Sequence, residues 1–275
     1  MIDYSKYATK EELIDFLVGN KSAIIATKKA EIKCADAVSF FVPFINAKGE
    51  EVKATPTTSK ELLNQDSIRV KVVINTTNLL DSHEDVHMKG IWKQSVKQQK
   101  SFLHLQEHQA KFEKIISDTA KGYVKSYSWK DLGYDYDGET EALVFESDLE
   151  KARNPYMFEQ YAKGYVKNHS VGMQYIKLEM AVNDDRYPTE KAAWDKYISE
   201  VANKAEAEQK GFFWAVTEAK VIEGSAVVKG SNYATPTISV KENIVEPSTD
   251  TQQEDKNSRQ DDTISAKDFR NLLFN

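Results

Sequence analysis

A single cysteine, Cys34, leaves this chain of 275 residues without an internal disulfide framework and fits a reducing compartment. Cys34 falls within residues 30–44, which read as strand, so it is expected to be a small buried hydrophobe and not a nucleophile. No basic face stands out: the formal net charge is −6 and the lysines are scattered, which argues against DNA or RNA as a partner. The N-terminus, MIDYSKYATKEELIDFLVGNK, lacks the basic start and apolar run of a signal peptide. No window approaches the roughly 20 apolar residues of a membrane span, so a soluble protein with no membrane partner, intracellular when made, is expected.

What is present suffices for an enzyme core, with 40% apolar and 11% aromatic residues. Residues 6–18 read as a short amphipathic helix with Thr9 as its cap and Glu12 three positions on. Residues 23–27 and 37–46, β-branched and aromatic, read as strands, as does the alternating run 67–75. A polar loop, 76–85, leads to Gly90-Ile91-Trp92 and a helical run to Lys100, and 102–128 holds short strands around Ile115-Ile116 and Gly122-Tyr123-Val124. A Gly/Asp/Tyr-rich hairpin, 131–138, joins these to a strand at 141–145. Asn154-Pro155 opens a helix that stops at Gly164. Residues 165–180 read as strand, 188–210 as the longest helix, and 212–222 with 225–229 as a closing pair of strands. From Glu246 to Thr263 almost nothing is apolar, which predicts a disordered tail, ahead of a short helix or docking peptide at 264–274.

Three constellations carry chemistry. His83-Glu84-Asp85-Val86-His87 matches H-E-x-x-H, in which two imidazoles one helical turn apart share a zinc ion and the glutamate activates water. Here the string follows a strand and a polar loop instead of lying in a helix, and Lys93 stands where a third histidine would. His104 and His108 form a second set, since an imidazole within reach of a nucleophile serves as general base. The third is Asn168-His169-Ser170-Val171-Gly172-Met173, a serine followed by a small residue and glycine at the mouth of a strand, where backbone N–H groups can face a developing oxyanion.

In chain order these segments resemble the prohead serine protease family of tailed phages. The likeness rests on four blocks: VINTTNLLDSHEDVHMKGIWKQS at 73–95, FLHLQEH at 102–108, GYVKNHSVGMQY at 164–175 and TEAKVIEGSAVVKGSNYATPTI at 217–238. It spans about residues 65–240 and departs from the family at Met173, usually aromatic, and at Gly230-Ser231, usually Pro-Ala. The resemblance implies an α+β fold, a strand-rich barrel flanked by helices and similar to herpesvirus assembly proteases. Residues 1–64 would be an N-terminal helix and strands packing on the core, 65–240 the protease domain with 188–210 as an insertion, and 241–275 the disordered tail with its short terminal helix. It also implies a serine endopeptidase of capsid maturation with Ser170 as nucleophile and His108 as base. Glu223 would be the third catalytic residue, with Glu218 and Asp85 behind it. Oxyanion donors would come from backbone near Gly172, and His169 would be structural. No cofactor or metal is implied. The expected partners are phage scaffolding and major capsid proteins as substrates, the chain itself through self-cleavage of its tail, and further copies in a homo-oligomer. The expected location is the host cytoplasm, inside the immature capsid. The competing readings are a zinc metallopeptidase using His83, Glu84 and His87, and a virion structural protein that kept the fold without catalysis.

Overall fold

The computed structural model describes residues 6–33 and 59–243. Cys34, the expected strand at 37–46, the tail at 246–263 and the terminal helix at 264–274 lie outside the described residues. In chain order the elements are α1 Lys10–Gly19, α2 Lys21–Ala30, β1 Ile32–Lys33, α3 Ser59–Leu63, β2 Ser67–Thr76, β3 Asp85–His87, α4 Lys93–Gln98, β4 Phe102–Gln106, β5 Ile115–Ser128, β6 Glu139–Glu150, α5 Pro155–Ala162, β7 Asn168–Val182, α6 Pro188–Tyr197, α7 Lys204–Lys210, β8 Phe212–Val227 and β9 Thr237–Glu242.

The fold is mixed α and β around one large sheet, ordered β1-β7-β8-β4-β5-β6-β2-β9, with β3 pairing β8 off this path. Most pairs are antiparallel, but β3 and β4 run parallel to β8. The sheet therefore has ends at β1 and β9 and does not close on itself, which corrects the expected barrel. Its long strands curl through bulges, as between Val73 and Asn75 of β2. The expected shift in this strand is instead burial on both faces: Ile68, Val70, Val72 and Ile74 enter the main core while Val73, on the other face, enters a second cluster with Leu132, Ala142 and Val144.

Local signals placed several boundaries correctly. The Thr9 hydroxyl accepts the Glu12 N–H (3.1 Å), and Asn154 caps α5 by accepting the Met157 N–H (3.0 Å), with Pro155 in the first turn. α1 buries Ile14 and Leu17 in the main core, and β1 pairs with β7. Elsewhere the chain differs from expectation. Residues 23–27 belong to helix α2, not a strand; the helix sets Lys28 over Asp85, and tertiary contacts of this kind override weak β propensity. The helix expected at 188–210 is broken into α6, a 3-10 turn at Ile198–Glu200 and α7. The break frees Asn203, whose amide exchanges two hydrogen bonds with the main chain of Leu80 (2.8 and 2.9 Å). The closing pair at 212–222 and 225–229 is one continuous strand, β8, and the short strands around 115–124 are one strand, β5. Among the described residues no helix is long and apolar enough to cross a membrane.

Candidate active site

β8 carries the site. Its 16 residues pair with β7 along their whole length and with β4 over Glu223 to Ala226, so Glu223 and Ser225 leave the same face of a central strand. Gly224, between them, points the other way: a Cβ there would lie 2.6 Å from Phe145 Cε2 and 2.8 Å from Ile74 Cδ1, so the strand is pressed onto the core. Ser170 of β7 lies directly opposite Ser225, and Gly172 opposite Glu223. Opposed residues of an antiparallel pair share a face, with Cβ atoms about 5 Å apart. Ser170 is thus on the face that bears Glu223.

His108 arrives from the other flank. The chain leaves β4 through a turn in which Glu107 and His108 both hold positive φ, 52° and 56°. A residue with a Cβ pays about 1 kcal/mol or more in that left-handed region. Two hydrogen bonds to β8 hold the turn: Glu107 N–H donates to the Ala226 carbonyl (2.9 Å) and His108 N–H to Ser225 Oγ (3.1 Å). The imidazole lies over β8 with Nδ1 2.6 Å from Glu223 Oε1. A carboxylate only accepts, so Nδ1 carries a proton, and in the neutral ring Nε2 is the nitrogen with the lone pair. The imidazole and the carboxyl group are each only 7% exposed. Ser170 and Glu223 thus share one face of the adjacent strands β7 and β8, and His108, in the turn after β4, contacts Glu223 there.

Gly172 has a specific part in this. A Cβ at that position would lie 1.9 Å from Glu223 Oε1, so the missing side chain is the space the carboxylate occupies. Gly172→Ala is expected to cost ~1–3 kcal/mol through overpacking and to part Glu223 from His108. Chemical denaturation and histidine NMR would measure both, and wild-type values in each would show that the carboxylate has another place to go. On the opposite side of Ser170, a Cβ on Gly230 would lie 3.6 Å from the serine Cβ and 2.8 Å from the His169 carbonyl.

Beneath the site runs a buried chain of neutral groups. His169 Nδ1 faces the Thr235 carbonyl (2.9 Å) and must donate, which leaves its Nε2 to accept from Tyr161 OH (2.9 Å). The Tyr161 oxygen then accepts from His104 Nε2 (3.1 Å), and His104 Nδ1 accepts from Ser147 (2.9 Å). Burial pushes His169 down to about 4 and His104 well below its ordinary value, so both stay uncharged. His104 is therefore a core residue and not a second base, and His169 anchors the strand one position before Ser170.

The H-E-x-x-H string does not form its helix. Glu84 has a positive φ, 58°, in the turn leading to β3, and β3 continues the sheet beside β8. His87 is buried, its ring nitrogens 3.1 Å from Asn75 Oδ1 and 3.1 Å from Tyr175 OH. In H-E-x-x-H the two imidazoles share an ion because i and i+4 lie on one helical face, which this turn and strand do not provide. Among the described residues no group of three His, Cys, Asp or Glu side chains is placed to hold a metal ion. Asp85 is fully buried and takes Lys28 (2.5 Å), Lys33 (2.6 Å) and Tyr175 OH (2.8 Å). Burial alone would raise its pKa, but the two ammonium groups hold it far below the usual carboxylate range. It locks the N-terminal segment to the sheet. Glu218 pairs with Lys177 at the surface. Of the three carboxylates considered as partners for His108, Glu223 is the one in contact with it.

No family model, curated protein or solved structure matches the chain. The site rests on its own geometry. Two of its features escaped the sequence: the left-handed Glu107-His108 turn, which has no glycine to announce it, and Ser225, bonded to both Glu223 and the His108 main chain. The spacing Glu223-x-Ser225 was a usable signal, since alternate strand residues share a face.

Proposed function

We propose that the chain is a serine endopeptidase of tailed-phage capsid maturation, cutting scaffolding and major capsid proteins inside the prohead, and its own tail. The observation that carries the catalytic half of this reading is the 2.6 Å contact of His108 Nδ1 with Glu223 Oε1 on the face that bears Ser170. Glu223 holds the imidazole in the tautomer whose Nε2 is basic. That nitrogen takes the Ser170 proton as Oγ attacks the scissile carbonyl, then returns it to the leaving amine; water, activated in the same way, releases the acyl group. The phage half rests on the likeness of the four sequence blocks to prohead proteases. The kinship with herpesvirus assembly proteases belongs to the same reading, with an open sheet where a closed barrel was expected. Residues 241–275 would be the self-cleaved segment and a homo-oligomer the working form.

The test is covalent labelling. A phosphonofluoridate probe should leave one adduct on the full-length protein, on Ser170 by peptide mass spectrometry, and Ser170→Ala should abolish both the adduct and scaffold processing in a co-expressed head. Activity that vanishes with a chelator and ignores the probe would replace this reading with the zinc enzyme. Normal head maturation with Ser170→Ala would leave a virion protein without catalysis.

A further inference from the structure

We propose that Ser225 is a positioning residue that fixes both halves of the His108–Glu223 pair, an inference that rests on the serine-protease reading. Its hydroxyl does two things at once. As donor it bonds Glu223 Oε2 at 2.5 Å, which turns the carboxylate so that the other oxygen, Oε1, meets His108 Nδ1. As acceptor it receives the His108 N–H at 3.1 Å, closing the left-handed turn that carries the imidazole. One hydroxyl proton and one lone pair are thereby committed to opposite ends of the same pair. Ser225 is fully buried and stands directly across from Ser170, so it also sets the strand register at the nucleophile.

Other roles for Ser225 fit less well. A core residue chosen for packing would be alanine, since nothing apolar is gained from a buried hydroxyl and its desolvation must be offset. A second nucleophile would need a base to take its proton, and this proton is held by Glu223, whose other oxygen is engaged by His108. Glu223 therefore carries two donors, one on each oxygen, and its charge is shared between them. Removing the serine donor leaves the full charge facing the imidazole.

That consequence is measurable without turnover. In full-length protein carrying Ser170→Ala, so that self-cleavage cannot intervene, the five histidines are titrated by NMR. Ser225→Ala should raise the His108 midpoint by about one pH unit and leave His87, His104 and His169 neutral across the folded range, as in the wild type. Ser225→Thr, which keeps the hydroxyl, should restore the wild-type midpoint. In the active protein, Ser225→Ala should lower kcat by about 10- to 100-fold with KM within about twofold, as a misaimed base does, and threonine should recover most of it. Ser225→Cys, close in size but a weak donor, should fall between alanine and threonine, and it takes the place of alanine if the alanine protein does not fold. An unchanged His108 midpoint in the alanine and cysteine proteins, or threonine behaving as alanine does, overturns the proposal. Absence of phosphonofluoridate reaction in the wild type would instead overturn the protease reading, and the midpoints would still decide the role of Ser225.

Discussion

His108→Ala is expected to lower peptide hydrolysis by about four orders of magnitude or more, and a Ser170→Ala, His108→Ala double variant to be no slower than either single one. The non-additivity follows from the geometry: a hydroxyl without a base is a poor nucleophile, and a base without its hydroxyl has nothing to deprotonate, so losing either removes the same step. Glu223→Gln should cost less but still about 10²-fold or more. Its amide, held in the space opposite Gly172, can offer N–H to Nδ1 where the carboxylate offered a lone pair, which favours the wrong tautomer. Ser225 biases this choice. Its hydroxyl donates to the second oxygen of Glu223, so in the glutamine protein the amide oxygen prefers Ser225 and the NH₂ turns to His108. Rates of cleavage of a scaffold-derived peptide between pH 6 and 9 decide the matter. Full activity in Glu223→Gln would mean that the imidazole is oriented by something else, and full activity in His108→Ala would remove it from the chemistry.

The parts of this arrangement that could be read from the chain are those written locally. Thr9 and Asn154 announce helix starts through their own side chains, and the alternation of Ile68, Val70 and Val72 announces a strand buried on one face. Elements whose form depends on distant partners were not legible. Residues 23–27 look like a strand, and α2 is a helix with no buried residue of its own; its Lys28 finds a carboxylate 57 positions away. The sequence suggests a break in β8 at Glu223-Gly224, since glycine weakens a strand on its own, whereas here Gly224 lets the strand close on Phe145 and Ile74. The H-E-x-x-H string shows the opposite failure. It is a local pattern whose meaning depends on a helix, and the same residues, folded as turn and strand, become a core histidine and an anchor for the N-terminal segment. The candidate site was legible as three separate fragments. Their union needed the parallel placement of β4 beside β8, which no local spacing encodes.

Between pH 6 and pH 4 the protein is expected to lose stability at about 2.7 kcal/mol per pH unit, a slope set by groups the site does not use. Burial holds His87 and His169 down to about 4 and His104 well below its ordinary value. The unfolded chain binds a proton at each as pH falls through roughly 6.5, whereas the fold refuses it until well below that, so each histidine favours unfolding as pH falls. Stability from these three is complete above pH 6.5 and lost on acidification. Asp81 acts in the other sense. Burial and the neighbouring Asp85 charge push it up to about 6, so the fold takes up its proton earlier than the unfolded chain does and gains from falling pH. Three protons against one leaves about two, and about 1.36 kcal/mol per proton per pH unit gives the slope. Since whole domains are stable by only about 5–15 kcal/mol, acid unfolding should arrive near pH 4 to 5. Below about pH 4, Asp85 adds to the loss, because the unfolded chain takes up its proton while Lys28 and Lys33 keep it ionised in the fold. Asp81→Asn keeps the oxygen that accepts the His83 and Asp85 N–H groups while deleting the opposing proton, so its slope should steepen to about 4 kcal/mol per pH unit. Urea midpoints taken every half unit from pH 7.5 to 4.5 measure both slopes. Midpoints that rise on acidification from 6.5 to 4.5, as the Asp81 proton alone would make them, would mean that the three histidines are charged in the fold, and the neutral chain beneath Ser170 would have to be redrawn.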